Sequence, residues 1–471
     1  MSELARLILP AIRWRSSTGY EHENRKIEES LRLGVGGFII FGGAVGEARR
    51  LISELQTQSR HPLLIGSDFE RGGGQQLEGL THLPAPAALG FIDEPEITRR
   101  CGDISARDAL SVGITWLYAP VADLDVEPQN PIIQSRSFGA EPVTVSQHVA
   151  EWVRGAERVG VVSTAKHFPG HGRTVRDSHE TLPIVWTSFD ELQRTDLVPF
   201  QSAIEAGVRS IMVAHVAYPA WDPSGKPATL SRDILSYLRH ELNFDGVIVT
   251  DALIMEGVLR GGGGGEAGIE AVAAGCDVLL YPPNTGDVVR SLESAVSERV
   301  TRGRLDEALH RVAHLASLVE AVPRPERDDD SFLFADSVAD LAVHVLRGDR
   351  LALRPPIELH LVDDDVGGPY AVGPRNVFER YLESSGVELG SGGSRVVLIY
   401  SEPRSWKGRA MLGARSLTAV ERLVPGSDLV VLFGHPRLLQ QIPGDAVVLV
   451  GWHGQSLMQE AAARWVVARL G

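Results

Sequence analysis

At 471 residues the chain exceeds one ordinary domain, and the expectation is two, one of them a large barrel. Its 43% hydrophobic and 23% charged residues are those of a globular protein, and 49 glycines suit many tight strand-to-helix turns. A net charge of −15 speaks against nucleic acid or an anionic membrane as partner.

Met1–Arg15 holds a short apolar stretch interrupted by Arg6 and Arg13, with no signal-peptide pattern, and no apolar run approaches twenty residues. The expectation is a cytoplasmic protein. Apolar runs then recur at Arg6–Leu9, Gly37–Phe41, Leu63–Ser67, Ile114–Tyr118, Val161–Ala165, Ser210–Ala214, Gly246–Thr250 and Asp277–Tyr281. Several are continuously apolar, as parallel strands covered on both faces are. Helical patterns lie between them, including Val143–Val159 and Glu191–Ala206.

Strands alternating with helices point to a (β/α)8 TIM-type barrel over residues 1–322. Such a barrel places its chemistry just after the strands, and Asp68, Glu70, Asp123, Lys166, His167, His215 and Asp251 all fall there. Gly261–Gly265 lacks the lysine and hydroxyl of a phosphate loop and reads as a flexible loop. Residues 323–332, proline-rich and charged, read as a linker. Beyond them, runs at Glu358–Val362, Val396–Tyr400, Leu429–Phe433 and Ala446–Val450, with a helix at Ser456–Arg469, predict a smaller α/β sandwich-like domain over 333–471. Cys101 and Cys276 sit among small and apolar residues and read as buried thiols.

The densest chemistry is Lys166-His167-Phe168-Pro169-Gly170-His171-Gly172, followed by Asp177-Ser178-His179. Pro169, Gly170 and Gly172 break any helix, so these side chains are expected on a loop. His167, His171, Asp177 and His179 read as zinc ligands only if the loop folds suitably, because Pro169-Gly170 destroys the helical spacing such sites use. The other reading is a proton-transfer pair: Asp177 and His179 share one face of an extended segment, and a carboxylate on one imidazole nitrogen raises the basicity of the other. Alternatively Asp177 caps a turn and His179 packs on the surface. Asp251 ends the apolar run Val247–Thr250, as a helix cap or as a buried nucleophile.

The blocks KHFPGHG and DSH, with Thr250–Met255 (TDALIM), resemble the bacterial β-N-acetylglucosaminidases of glycoside hydrolase family 3. Ile65–Glu70, Ala119–Asp125, Asn130–Gly139 and Met212–Pro219 add matches in the family's order. The resemblance implies a barrel fold and a retaining exo-β-N-acetylhexosaminidase acting on small carbohydrates, such as cell-wall-derived muropeptides, without cofactor or metal. It implies Asp251 as nucleophile, His179 with Asp177 as acid/base, and Asp68, Arg136, Lys166, His167, Met212 and His215 as sugar-binding residues. The chain departs from the family at Asp68–Leu77, where Gly73 and Gln76 stand in place of arginines and Arg71 is shifted. A different sugar specificity is therefore an alternative. So is a glycoside phosphorylase, because a histidine acid/base repels phosphate less than a glutamate would. Oligomeric state is not legible.

Overall fold

The computed structural model describes residues 2–177, 181–259, 263–322, 325, 327–349, 351–368, 372–404 and 406–470. They pack as two units. The first comprises residues up to Thr81, Pro95–Leu124 and Ala140–Asp329; the second comprises His82–Glu94, Asp125–Gly139 and Asp330 onward.

The first unit is an α/β fold with parallel sheets. Strands β1 (Ile8–Leu9), β2 (Ala11–Arg13), β3 (Gly37–Phe41), β4 (Leu64–Ser67) and β5 (Trp116–Leu117) precede β6 (Thr164–Phe168), β7 (Ser210–Val213), β8 (Val247–Thr250) and β9 (Leu279–Leu280). Parallel pairing runs β2-β3-β4-β5, β6-β7-β8 and β1-β9. Single bridges Trp116↔Val162 and Val249↔Val278 add parallel contacts next to β5 and β8. β4, β6, β7 and β8 are buried at every position, so both faces are covered, which is why these runs read as uninterrupted apolar segments.

Helices Pro95–Val112 and Pro142–Val159 pack at backbone distance. A Cβ at Gly155 would meet Arg99 O at 2.0 Å, and one at Gly102 would meet Trp152 O at 2.3 Å, so both positions require glycine. Cys101 and Cys276 are buried free thiols, and burial pushes Cys101 up to about 12. Among the described residues no helix is long and apolar enough to cross a membrane.

The second unit contains a five-stranded sheet, β10 (His344–Arg347), β11 (Glu358–Asp363), β12 (Arg395–Ser401), β13 (Leu429–Gly434) and β14 (Val447–Val450), in the order β10-β14-β13-β12-β11 with only β10 antiparallel. Val397, Ile399, Val430, Leu432 and Val448 form one core face with Val420 of the helix Ala414–Leu423 and with Val424 just beyond its end.

Several expectations change. Arg6 lies in the 3-10 turn Glu3–Leu7, and the strand run restarts at Ile8. β6 begins at Thr164 and extends through Phe168, so Lys166 and His167 stand on the strand and not on the loop beyond it. Gly263–Gly265 open the helix Gly263–Ala274, carried by the alanine-rich sequence that follows, while Gly261 and Gly262 lie outside the described residues. The helix expected over Glu191–Ala206 is two, Phe189–Arg194 and Val198–Glu205, because Pro199 suits the first turn of a new helix and not the interior of an old one.

Candidate active site

The carboxyl ends of β4, β6 and β8 carry the charged groups. Lys166 reaches from β6 to Asp68 Oδ1 and to Glu70 Oε1, each at 2.7 Å. The ammonium is buried, and two carboxylates satisfy it, as a buried lysine requires. The group is thereby fixed as a set of charged donors and acceptors.

One residue on, the pairing register of β6 and β7 slips: Lys166 faces Met212 while Phe168 faces Val213. His167 is the extra residue of this bulge, a device that re-aims side chains beside active sites. Its Nδ1 lies 2.7 Å from Asp123 Oδ2. An ionised carboxylate only accepts, so Nδ1 carries the hydrogen and Nε2 the lone pair of the neutral ring.

Asp123 also accepts from the His171 amide at 2.6 Å and from the His167 amide at 3.2 Å. Burial opposes its charge, but His167 and His171 outweigh it and hold the carboxyl below its ordinary range. His171 shares a 2.8 Å hydrogen bond with Thr174, and burial, helped by His167, lowers its imidazole to about 4. His171 is therefore neutral at pH 7.

The loop after β6 is held by close contacts. Tyr218 donates its hydroxyl to Gly170 O at 2.7 Å, Arg173 reaches Asp196 at 2.7 Å, and a Cβ at Gly172 would meet Leu124 O at 1.7 Å. Asp177 follows on this loop and is buried, and its carbonyl accepts from the Thr181 amide at 3.2 Å. His179 lies outside the described residues.

Asp251 follows β8 directly. Its amide donates to Val213 O at 3.1 Å, and its Oδ1 accepts from the Ala252 amide at 2.7 Å. The registers Lys166↔Met212↔Val249 and Phe168↔Val213↔Thr250 put Asp251 one step past the row that ends β6. Asp251, Lys166 and His167 thus stand at the same end of three adjacent strands.

His215 follows β7 on the same side as Asp251. It is fully buried, with Nδ1 2.8 Å from Thr229 Oγ1 and Nε2 3.2 Å from Ala252 O, so it braces the residue next to Asp251. Met212 is buried in the row of Lys166. Arg136 belongs to the second unit, on the turn Gln134–Arg136, and donates to Ile132 O at 3.2 Å.

At Gly73, where the family resemblance leads one to expect arginine, a Cβ would meet Leu80 Cδ1 at 2.6 Å and Leu80 Cβ at 2.8 Å. The packing there excludes a side chain. Among the described residues no group of three or more His, Cys, Asp or Glu is placed to hold a metal ion. Asp123 and Glu70 are the functional groups that sequence reading left without a role. Their position just after strands was the available signal, but their histidine and lysine partners are 44 or more residues away.

The pattern of the glycosyl hydrolase family 3 N-terminal domain matches residues 3–315. A Cellulomonas fimi protein named beta-N-acetylglucosaminidase/beta-glucosidase is 33% identical over 60% of this chain, which spans about half (52%) of that relative's length. A beta-hexosaminidase of Thiobacillus denitrificans is 35% identical over 58% of this chain and 78% of its own. The family 3 β-N-acetylglucosaminidase structure from Paenibacillus sp. FPU-7 superposes with a TM-score of 0.86 at 26% identity, covering 100% of this chain and 96% of that one.

Proposed function

The chain belongs to glycosyl hydrolase family 3, and from that premise we propose that it is a retaining exo-β-N-acetylhexosaminidase. The observation that carries this reading is the common placement of Asp251, Lys166 and His167 at the same end of β8 and β6, the two strands that flank β7. The names of the relatives support the same substrate class.

In this reading Asp251 attacks the anomeric carbon while His179 delivers a proton to the departing glycosidic oxygen. The C1–O bond breaks as the glycosyl-aspartate ester forms. Asp177 orients the imidazole. His179 then takes a proton from water, whose oxygen attacks C1 and releases Asp251, restoring the β configuration. Lys166 and Asp68, already locked together, offer a charged donor and an acceptor to sugar hydroxyls without reorganising. His167, held by Asp123, offers its Nε2 lone pair to a hydroxyl. Met212 lines the same row.

Counting β1 and β2 as one strand interrupted at Pro10, we read the strands of the first unit as one eight-stranded (β/α)8 ring, with the bridges at Val162 and Val278 supporting closure, and assign residues 1–322 to it, 323–332 to a linker and 333–471 to a C-terminal α/β domain. A cytoplasmic role on cell-wall-derived muropeptides is part of the same proposal.

A panel of nitrophenyl β-glycosides differing in sugar and 2-substituent, assayed with and without phosphate, tests the proposal. N-acetylglucosaminide is expected to turn over fastest, with the β anomer released first and no effect of phosphate. Appearance of a sugar 1-phosphate would favour the phosphorylase, and an α product would exclude the double displacement.

A further inference from the structure

The segment Asp125–Gly139, which carries Arg136, clusters with the second unit. It has the character of an Ω-loop, an irregular segment whose ends meet and whose own groups satisfy its backbone. The Asp125 amide donates to Gly139 O at 2.8 Å, closing the base. Asn130, fully buried, accepts from the Ile132 and Ile133 amides at 2.9 and 2.8 Å, and Gln134 donates to Asn130 O at 3.0 Å. Arg136 donates to Ile132 O, so its guanidinium is aimed by the loop's own backbone.

The loop is gripped from the 3-10 turn Pro436–Gln441, which follows β13. Arg437 donates to the Asp125 carboxylate, to Glu127 O at 3.2 Å and to Pro128 O at 2.9 Å. His435 completes the grip. Its Nδ1 accepts from the Arg437 amide at 3.1 Å and from Arg437 Nε at 3.0 Å, which leaves Nε2 as the hydrogen-bearing nitrogen, 3.1 Å from Asp125 Oδ2. The ring thus orients the guanidinium and shares its carboxylate. Despite burial, His435 and then Arg437 keep the Asp125 carboxyl below its ordinary range, so the clamp is charged at pH 7.

A charged, three-acceptor arginine clamp on irregular backbone is more than chain packing needs, since apolar contacts hold such loops at less desolvation cost. What it adds is precise placement. We infer that His435 and Arg437 are positioning residues for the Arg136 loop. This inference rests on the proposed glycosidase activity and on Arg136 as a sugar-binding residue.

The test compares Arg437→Ala, Arg437→Lys, Arg136→Ala and the double variant Arg437→Ala/Arg136→Ala in the full chain, with 4-nitrophenyl N-acetyl-β-D-glucosaminide as substrate and hydrogen exchange as a second readout. Arg437→Ala is expected to raise KM about tenfold with kcat changed less than about threefold. Arg437→Lys keeps the charge but loses the fork, and is expected to fall between it and wild type. The double variant is expected to match Arg136→Ala alone, because both changes remove one function. Amides of residues 125–139 are expected to exchange faster in Arg437→Ala while β6 and β8 keep their protection. Faster exchange with unchanged KM, or additive KM effects in the double variant, would overturn the positioning role while leaving the glycosidase reading intact. An unchanged KM in Arg136→Ala would overturn Arg136 as a sugar contact and the inference with it. If wild type releases no nitrophenol from this substrate, the functional reading itself fails.

Discussion

His171 shows how one buried side chain makes this site depend on pH. Burial and the neighbouring His167 lower its folded value from 6.5 to about 4. Between those values the unfolded chain takes up a proton that the folded chain refuses, so stability falls as pH falls through the window. The loss is on the order of 3 kcal/mol by pH 4. Glu157, pushed up to about 7 by burial, works in the opposite direction over part of the same range, since its folded form holds a proton that the unfolded chain has released. Urea unfolding of wild type and His171→Gln in parallel isolates the histidine. The difference in stability between them is expected to shift against wild type from pH 7 to pH 4.5, and parallel curves would contradict the assignment. The identity of His171 as a notable residue was legible in the sequence, but its neutrality was not, because that depends on burial.

At the scale of elements, the sequence shows most strands of the first unit within a few residues, because continuous apolar runs between helical patterns have few alternative readings. It places the boundary of β6 too early. Lys166 and His167 look like loop residues by polarity, yet Asp68, Glu70 and Asp123 pair with them and let the strand continue to Phe168. β10 escapes notice because its alternation is weak: it is a half-exposed antiparallel edge strand of four residues. The loop beyond β6 is set by contacts that glycine alone permits. Gly172→Ala is expected to cost about 1–3 kcal/mol, because the new methyl group collides with a carbonyl that cannot rotate away. Gly303→Ala, in a helix where a Cβ meets nothing within 4 Å, is expected to stabilise by about 0.5–1 kcal/mol. Chemical denaturation of the two variants measures both effects, and a Gly172→Ala protein as stable as wild type would show that the loop is not pinned at Leu124.

For the molecule as a whole, the grouping of His82–Glu94 and Asp125–Gly139 with the C-terminal sheet is invisible to a linear reading, since nothing in their composition marks them as belonging elsewhere. The same holds for the buried charges at the ends of β11 and β12, where Lys407 lies 2.9 Å from Asp364 and 3.1 Å from Asp365, and Arg375 lies 3.0 Å from Asp363 and 2.8 Å from Asp365. The triple aspartate is plain in the sequence, but its partners, Arg409 among them, lie 10 to 45 residues further on (375 − 365 and 409 − 364). What carries across the whole chain is the proposed chemistry at β8. Incubation with a fluorinated N-acetylglucosaminyl donor that forms the glycosyl-enzyme faster than it breaks down, followed by peptide mass spectrometry, reads it directly. The account predicts one sugar attached to the peptide containing Asp251 and none in Asp251→Asn. A sugar on any other residue, or turnover by Asp251→Asn equal to wild type, would contradict it.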